Sequence, residues 1–387
     1  MSEPPLRRCQ SFTHELLTFR EEHQVSLFSL HTYAVWLVGL AMIAASVAAS
    51  AATWVYVASA DSQEISVLQL DRAAGTLTPM AVVPVGGTAM PMVVSRDKKF
   101  LYVALRSQPF RVLTFLIDGA TGALQKIGES TLADSMASID LEPTGKWLFA
   151  ASYGGHKITV NSLGSDGVVG AVQQLVRTAP NAHAIHADAS GRYVFATSLG
   201  GDNLSSWKFD SSSGLLSANE PALVNVKPSK TGPRHFLWNK TQTHAYLINE
   251  LDGGVDVFSY DSARGSMAHL QRTSVVQPGF AGKVWAADLQ IAPDGRYLYG
   301  SERTSSMLTT FRIAPVTGLL EVVGYSPTEK TPRGFAVDST GRFLIAAGQD
   351  SHGVSLHAID AATGMPGPGK SQPTGKNPNW VEIVDMP

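Results

Sequence analysis

Residues 292–299 read Ala292-Pro293-Asp294-Gly295-Arg296-Tyr297-Leu298-Tyr299: a tight turn, then a cation, an aromatic and two large apolar residues. The four-residue ending recurs seven times. Its copies are Thr53-Trp54-Val55-Tyr56, Lys99-Phe100-Leu101-Tyr102, Lys146-Trp147-Leu148-Phe149, Arg192-Tyr193-Val194-Phe195, Thr243-His244-Ala245-Tyr246, Arg296-Tyr297-Leu298-Tyr299 and Arg342-Phe343-Leu344-Ile345. Consecutive copies of the second residue, the anchor, stand 46 to 53 residues apart. A period of that size built from short strands is the repeat of a β-propeller blade. The count predicts an all-β, seven-bladed β-propeller.

Each repeat has the same grammar. A short apolar stretch ends in a turn, as in Glu142-Pro143-Thr144-Gly145 or Asp188-Ala189-Ser190-Gly191, and the anchor opens the next strand. A third strand leads to a second turn with Gly four residues after its start: Asp71/Gly75, Asp118/Gly122, Leu163/Gly167, Asp210/Gly214, Asp261/Gly265, Ala314/Gly318 and Asp360/Gly364. Such Gly-bearing turns join antiparallel strands, which gives four strands per repeat. The tail Asn377-Pro378-Asn379-Trp380-Val381-Glu382-Ile383-Val384 reads as a first strand with no anchor after it, whereas Trp54 is an anchor with no first strand before it. The tail is therefore expected to pair into the first blade and close the ring, leaving no open edge.

One propeller domain, residues 53–387, absorbs nearly all of the chain. The 35 glycines and 21 prolines suit turns, and 44% hydrophobic residues supply a core. A net charge of −2 gives no bulk reason to expect nucleic-acid binding. Residues 1–52 read differently. Ala34 to Ala52 is uncharged and ends in Ala49-Ser50-Ala51, a small-x-small pattern suited to signal peptidase. The expectation is a leader, either a signal peptide or an uncleaved membrane anchor, and hence a periplasmic or secreted protein. A start placed too far upstream, in keeping with Glu21 and Glu22 after Arg20, would make the protein cytoplasmic instead. The sole cysteine, Cys9, lies in this leader, so a mature chain would carry no disulfide or thiol nucleophile.

The anchors also serve as a ruler. Ten residues before them stand Met90, Ala137, His183, Arg234, Ala287 and Arg333; six after them stand Ala60, Arg106, Tyr153, Leu199, Glu250, Arg303 and Gln349. First strands line a propeller's channel, so these registers predict a polar cluster around one mouth. An unpaired carboxylate at Glu250 would be costly in its apolar setting, and Arg234 and Arg303 are its natural partners. A satisfied inter-blade salt-bridge network is the competing structural explanation. Alternation turns His235 away from Arg234, into the packing between blades. His183-x-x-His186 lacks a clear carboxylate or third histidine, so no metal site is expected. No cofactor is expected either: the glycines sit singly in turns and form no phosphate loop. The Gly-x-Ser-x-Gly elbow of serine hydrolases is missing.

The segments Met90-Pro91-Met92-Val93-Val94-Ser95, Gly232-Pro233-Arg234-His235, Asn249-Glu250-Leu251, Trp285-Ala286-Ala287-Asp288, Thr331-Pro332-Arg333-Gly334-Phe335 and Leu344-Ile345-Ala346-Ala347-Gly348-Gln349 resemble the bacterial seven-bladed β-propeller 6-phosphogluconolactonases. The similarity runs from Trp54 to about Val384. The wider family includes fungal carboxy-muconate lactonizing enzymes. This resemblance implies a carboxylic ester hydrolase that converts 6-phospho-D-glucono-1,5-lactone, or a related sugar lactone, to the aldonic acid, as in the pentose phosphate pathway. It implies catalytic roles for His183, Arg234, Glu250 and Arg303, which match the muconate branch's His, two Arg and Glu in type and order. Substrate binding would fall to Arg106, Tyr153, Asp288, Arg333 and Gln349. Either Glu250 or His183 would be the base. The expected partner is a small lactone, with no nucleic acid, membrane contact only through an uncleaved leader, and a monomeric state. A lactonizing enzyme or a non-catalytic binding propeller are the alternatives.

Overall fold

In the computed structural model, which describes residues 52–386, six anchors begin a strand and Trp54 is the second residue of its own. The predicted leader lies outside the described residues, apart from Ala52. Among the described residues no helix is long and apolar enough to cross a membrane. The 28 strands, β1 to β28 in chain order, form seven four-stranded antiparallel sheets. Blade 1 takes β1 (Thr53–Ser59), β2 (Glu64–Asp71) and β3 (Thr76–Pro84) from the start of the ring and β28 (Pro378–Asp385) from its end. Trp54 pairs with Val384 and Val57 with Val381, so the tail closes the ring as its sequence predicts. The other six blades are consecutive. Their inner strands are β4 (Ala89–Val94), β8 (Met136–Leu141), β12 (Ala182–Ala187), β16 (Pro233–Trp238), β20 (Ala286–Ile291) and β24 (Pro332–Val337).

Burial follows position in the blade. All seven residues of β1 are buried, because neighbouring blades cover both of its faces, whereas the outer strand β3 is largely exposed. The apolar core is divided into seven clusters, one per seam between adjacent blades; Val55, Ile345 and Leu356 meet at one seam and Phe149, Ile185 and Val194 at another. Fully burying each such side chain contributes about 1.5–3 kcal/mol.

The two repeated sequence features meet at these seams. All seven turn glycines have φ between +61° and +81°, a left-handed conformation that only glycine adopts without strain. Each packs on the anchor ring of the preceding blade: a β-carbon on Gly122 would lie 2.4 Å from the Trp54 ring, and one on Gly265 would lie 2.1 Å from that of Tyr193. The ring is cyclic here too, since Gly75 of blade 1 faces Phe343 of blade 7. Four tyrosine hydroxyls two residues past their anchors, those of Tyr56, Tyr102, Tyr246 and Tyr299, donate to the carbonyls of Gly122, Gly167, Gly318 and Gly364 at 2.9–3.0 Å.

Candidate active site

The second residue of every inner strand faces one mouth of the channel. Six of these are the residues the ruler selects. The seventh is Asn379, on β28, whose Nδ2 donates to the carbonyls of Ala58 and Ala89 and so ties blade 1 to blade 2. Counting within repeats missed it, because its blade takes its anchor from the other end of the chain. The other register directly follows the second strands: β5 (Phe100–Leu105), β9 (Trp147–Ser152), β13 (Tyr193–Ser198), β17 (His244–Asn249), β21 (Tyr297–Glu302) and β25 (Phe343–Gly348) precede Arg106, Tyr153, Leu199, Glu250, Arg303 and Gln349.

At this mouth Glu250 is held between two guanidiniums. Arg234 Nε donates to Glu250 Oε2 at 2.8 Å, and Arg303 Nη2 lies 3.1 Å from the same oxygen. The arginines are themselves fixed by carbonyls. Arg234 Nη1 donates to Ala287, while Arg303 donates from Nε to Trp285 and from Nη2 to Ala286. Trp285 belongs to neither register, yet it completes the site. It donates from Nε1 to Glu250 Oε1 at 3.2 Å, and its ring lies 3.7 Å under the Arg303 guanidinium, a cation–π contact. Arg234 Nη2 and Arg303 Nη1 take no partner among the described residues.

The remaining predicted residues surround this triad. His183 is buried, with its ring edge-on to Tyr153 at 5.9 Å and to His235 at 5.1 Å, and its Nδ1 has no partner. Arg106 donates to Ser135 Oγ and approaches Met90 Sδ, and Arg333 has no carboxylate partner among the described residues. Gln349 donates to Asn377 Oδ1 at 2.7 Å. Asp288 is placed one residue further in, on the channel wall, where His235 Nδ1 lies 2.7 Å from its Oδ1.

Charge is unbalanced at this mouth: four guanidiniums surround Glu250, while Glu302, which also acts on Arg303, is taken up by the backbone N–H groups of Trp285, Thr304 and Ser305. Burial and then the Arg234 charge push Arg333 and Arg303 below the ordinary arginine range, and Arg106 likewise. Burial alone would raise the Glu250 carboxyl, but Arg234, Arg303 and Arg333 overcome it and hold it below the usual glutamate range, hence ionised. Burial, reinforced by Arg234, lowers His183 well below 6.5, so its imidazole is neutral.

Two expectations need correction. His235 does not enter the packing between blades. The pairing of β16 with β17 shifts register between Pro233 and Phe236, and this irregularity turns the ring onto the channel wall, 5.9 Å from Trp380. His186 does have a carboxylate, Asp140, at 2.8 Å, although the sequence offers no neighbour to suggest it. Among the described residues no group of three or more His, Cys, Asp or Glu is placed to hold a metal ion.

A closed ring of seven blades, with an ionised carboxylate and surplus guanidiniums at one mouth of its channel, is a seven-bladed β-propeller with a charged channel mouth. Residues 52–383 match the family described as lactonase, 7-bladed beta-propeller, and the chain belongs to that family. It is 38% identical to the 6-phosphogluconolactonase of Pectobacterium carotovorum and 37% identical to that of Serratia proteamaculans, spanning 86% and 85% of this chain and 98% of each relative. Among solved structures it resembles the periplasmic gluconolactonase of Pseudomonas aeruginosa, with a TM-score of 0.80, 27% identity, and coverage of 87% of this chain and all of that one.

Proposed function

We propose that the mouth hydrolyses a sugar δ-lactone to its aldonic acid, with 6-phospho-D-glucono-1,5-lactone or its unphosphorylated form as substrate. The observation that carries this reading is the Glu250 carboxylate, ionised between Arg234 and Arg303, with Arg106 and Arg333 free of carboxylate partners across the mouth. The names of the relatives support the same reaction. In this mechanism Glu250 draws a proton from the attacking water, the lone base needed at a carbonyl already activated as a lactone. The free nitrogens of Arg234 and Arg303 stabilise the oxyanion that forms at the carbonyl, in a site where fixed charges need no reorganisation. Neutral His183 hydrogen-bonds the ring oxygen, and Glu250 hands that oxygen the proton taken from water as the C–O bond breaks, which returns the carboxylate to its ionised form. Arg106 and Arg333 receive a phosphate or the distal hydroxyls.

The leader-like uncharged run from Ala34 to Ala52 and the periplasmic gluconolactonase neighbour support export, and with it an unphosphorylated substrate. Acid release followed in a pH-stat with glucono-1,5-lactone and with its 6-phosphate tests the function. Arg234→Ala should lower turnover on the preferred lactone by about a hundredfold. No hydrolysis of either lactone by the wild type would instead favour a binding propeller or, if a muconate is cyclised, the lactonizing reaction. N-terminal sequencing of the expressed protein decides between the exported and cytoplasmic readings.

A further inference from the structure

A large apolar ring contributes to a fold through the area it buries. Trp285 is 41% exposed and belongs to none of the seven apolar clusters, yet it is tied on every side. Its main-chain N–H donates to Glu302 Oε1 at 2.7 Å, and its carbonyl accepts from the main-chain N–H and the Nε of Arg303 at 3.1 and 3.0 Å. Its ring lies 3.7 Å under the Arg303 guanidinium, and its Nε1 donates to Glu250 Oε1 at 3.2 Å. Glu302 is wholly buried and also accepts from the N–H groups of Thr304 and Ser305, so it locks the turn after β21 to the residue before β20. No packing of the core requires the indole in this place; its side-chain partners are the base and an arginine of the mouth.

The contacts divide the two oxygens of Glu250. Oε2 lies 2.8 Å from Arg234 Nε and 3.1 Å from Arg303 Nη2, and these donors take both of its lone pairs. Among the described residues Oε1 accepts only the indole N–H, which leaves it one lone pair. Only Oε1 can therefore take a proton from water without breaking a guanidinium contact. The terminal torsion of a glutamate is broad, and a donor on the second oxygen narrows it. That donor also favours the ionised form over the protonated one, so a proton gained at Oε1 is readily given up. The other titratable groups facing this carboxylate are Arg333 and Tyr153.

We propose that Trp285 is the positioning residue of the base: its indole N–H assigns proton exchange to Glu250 Oε1, and its stack under Arg303 keeps the oxyanion donor in register with that oxygen. Water loses its proton to the free lone pair of Oε1 as its oxygen bonds the lactone carbonyl carbon. The same proton leaves for the ring oxygen as the C–O bond breaks, and Glu250 ends as the carboxylate it began as. Trp285 gives up no proton at any stage.

This inference rests on the lactonase reading. Trp285→Phe keeps a ring under Arg303 and removes the N–H. In pH-stat assays it should lower kcat about tenfold, the worth of one hydrogen bond to a charged group, with KM and melting temperature near those of the wild type. Trp285→Ala also removes the stack, and should lose about tenfold more and raise KM. The acid limb of the Trp285→Phe profile should move to higher pH, since the carboxylate has lost a donor to its charged form; a change in packing alone would leave the limb in place. The indole N–H resonance of Trp285 should move upfield in Glu250→Gln, a reading that needs neither turnover nor a tryptophan variant that folds. A wild-type kcat with an unmoved acid limb in Trp285→Phe, or an indole resonance indifferent to Glu250→Gln, would overturn the assignment while leaving lactone hydrolysis in place. A wild type that hydrolyses no lactone would overturn both.

Discussion

Glu250→Gln removes the carboxylate that pairs with both Arg234 and Arg303. Its oxygen lies 2.8 Å from Arg234 and 3.1 Å from Arg303. At an effective dielectric constant of about 20, each contact is worth roughly 5–6 kcal/mol of gross attraction. Desolvation of a side chain only 14% exposed offsets much of this, and breaking such a pair from one side typically loses about 3–5 kcal/mol. For a domain of this size that is a fall in melting temperature of about 4–7 °C. Loss of the base should also lower turnover by about a hundredfold. The variant has an internal control. With its charge surplus increased by one, millimolar phosphate should raise its melting temperature more than it raises the wild type's. Thermal melts with and without phosphate, beside pH-stat kinetics, supply all three readings. A variant with wild-type melting and wild-type turnover would refute the reasoning.

Three further outcomes follow from the geometry. Gly122→Ala and Gly145→Ala both place a side chain at φ near +70°, at about 1–2 kcal/mol each, but only the first drives it into the Trp54 ring. Urea titrations should find Gly122→Ala less stable by a further 1–3 kcal/mol or so, and equal midpoints would contradict the seam packing. Arg333→Ala should raise KM for the 6-phosphate more than for the unphosphorylated lactone, and steady-state kinetics showing no such bias would place the phosphate elsewhere. Burial, helped by Asp140 and Asp288, raises Glu382 to about 7 although Trp380 opposes it. Its neutral form favours the fold, so the stability it contributes is present below about pH 4.5 and lost as pH rises through 7. Glu382→Gln should therefore melt above the wild type at pH 8 and level with it at pH 4.

The fold was legible because its determinants are local and repeated: an aromatic that opens a strand and a glycine that seats a neighbour's ring. The mouth was legible where one register carries one chemistry in each blade, as with Arg234, Glu250 and Arg303. Three things escaped. Asn379 belongs to a blade assembled from both ends of the ring, so no in-repeat count reaches it. Trp285 precedes its strand in a loop, and only the folded ring brings its indole beneath Arg303. His235 obeys a register shift that alternation along a strand does not anticipate. The channel pairs His186–Asp140 and His235–Asp288 join residues 46 and 53 positions apart, about one repeat, so a ruler laid between blades could have found them.

The closing pair of strands also sets a clock. The Thr53 hydroxyl bonds Asp385 across 332 residues of chain, and bringing such distant segments together takes roughly 5 kcal/mol of closure entropy. At that cost the step should come late, once the other blades have begun to stack, and it delivers Asn379, Trp380 and Glu382 to the channel along with the strand. Catalytic competence should therefore lag behind the appearance of β structure during refolding. A ring caught open would have six finished blades, one bare edge and an unfinished mouth.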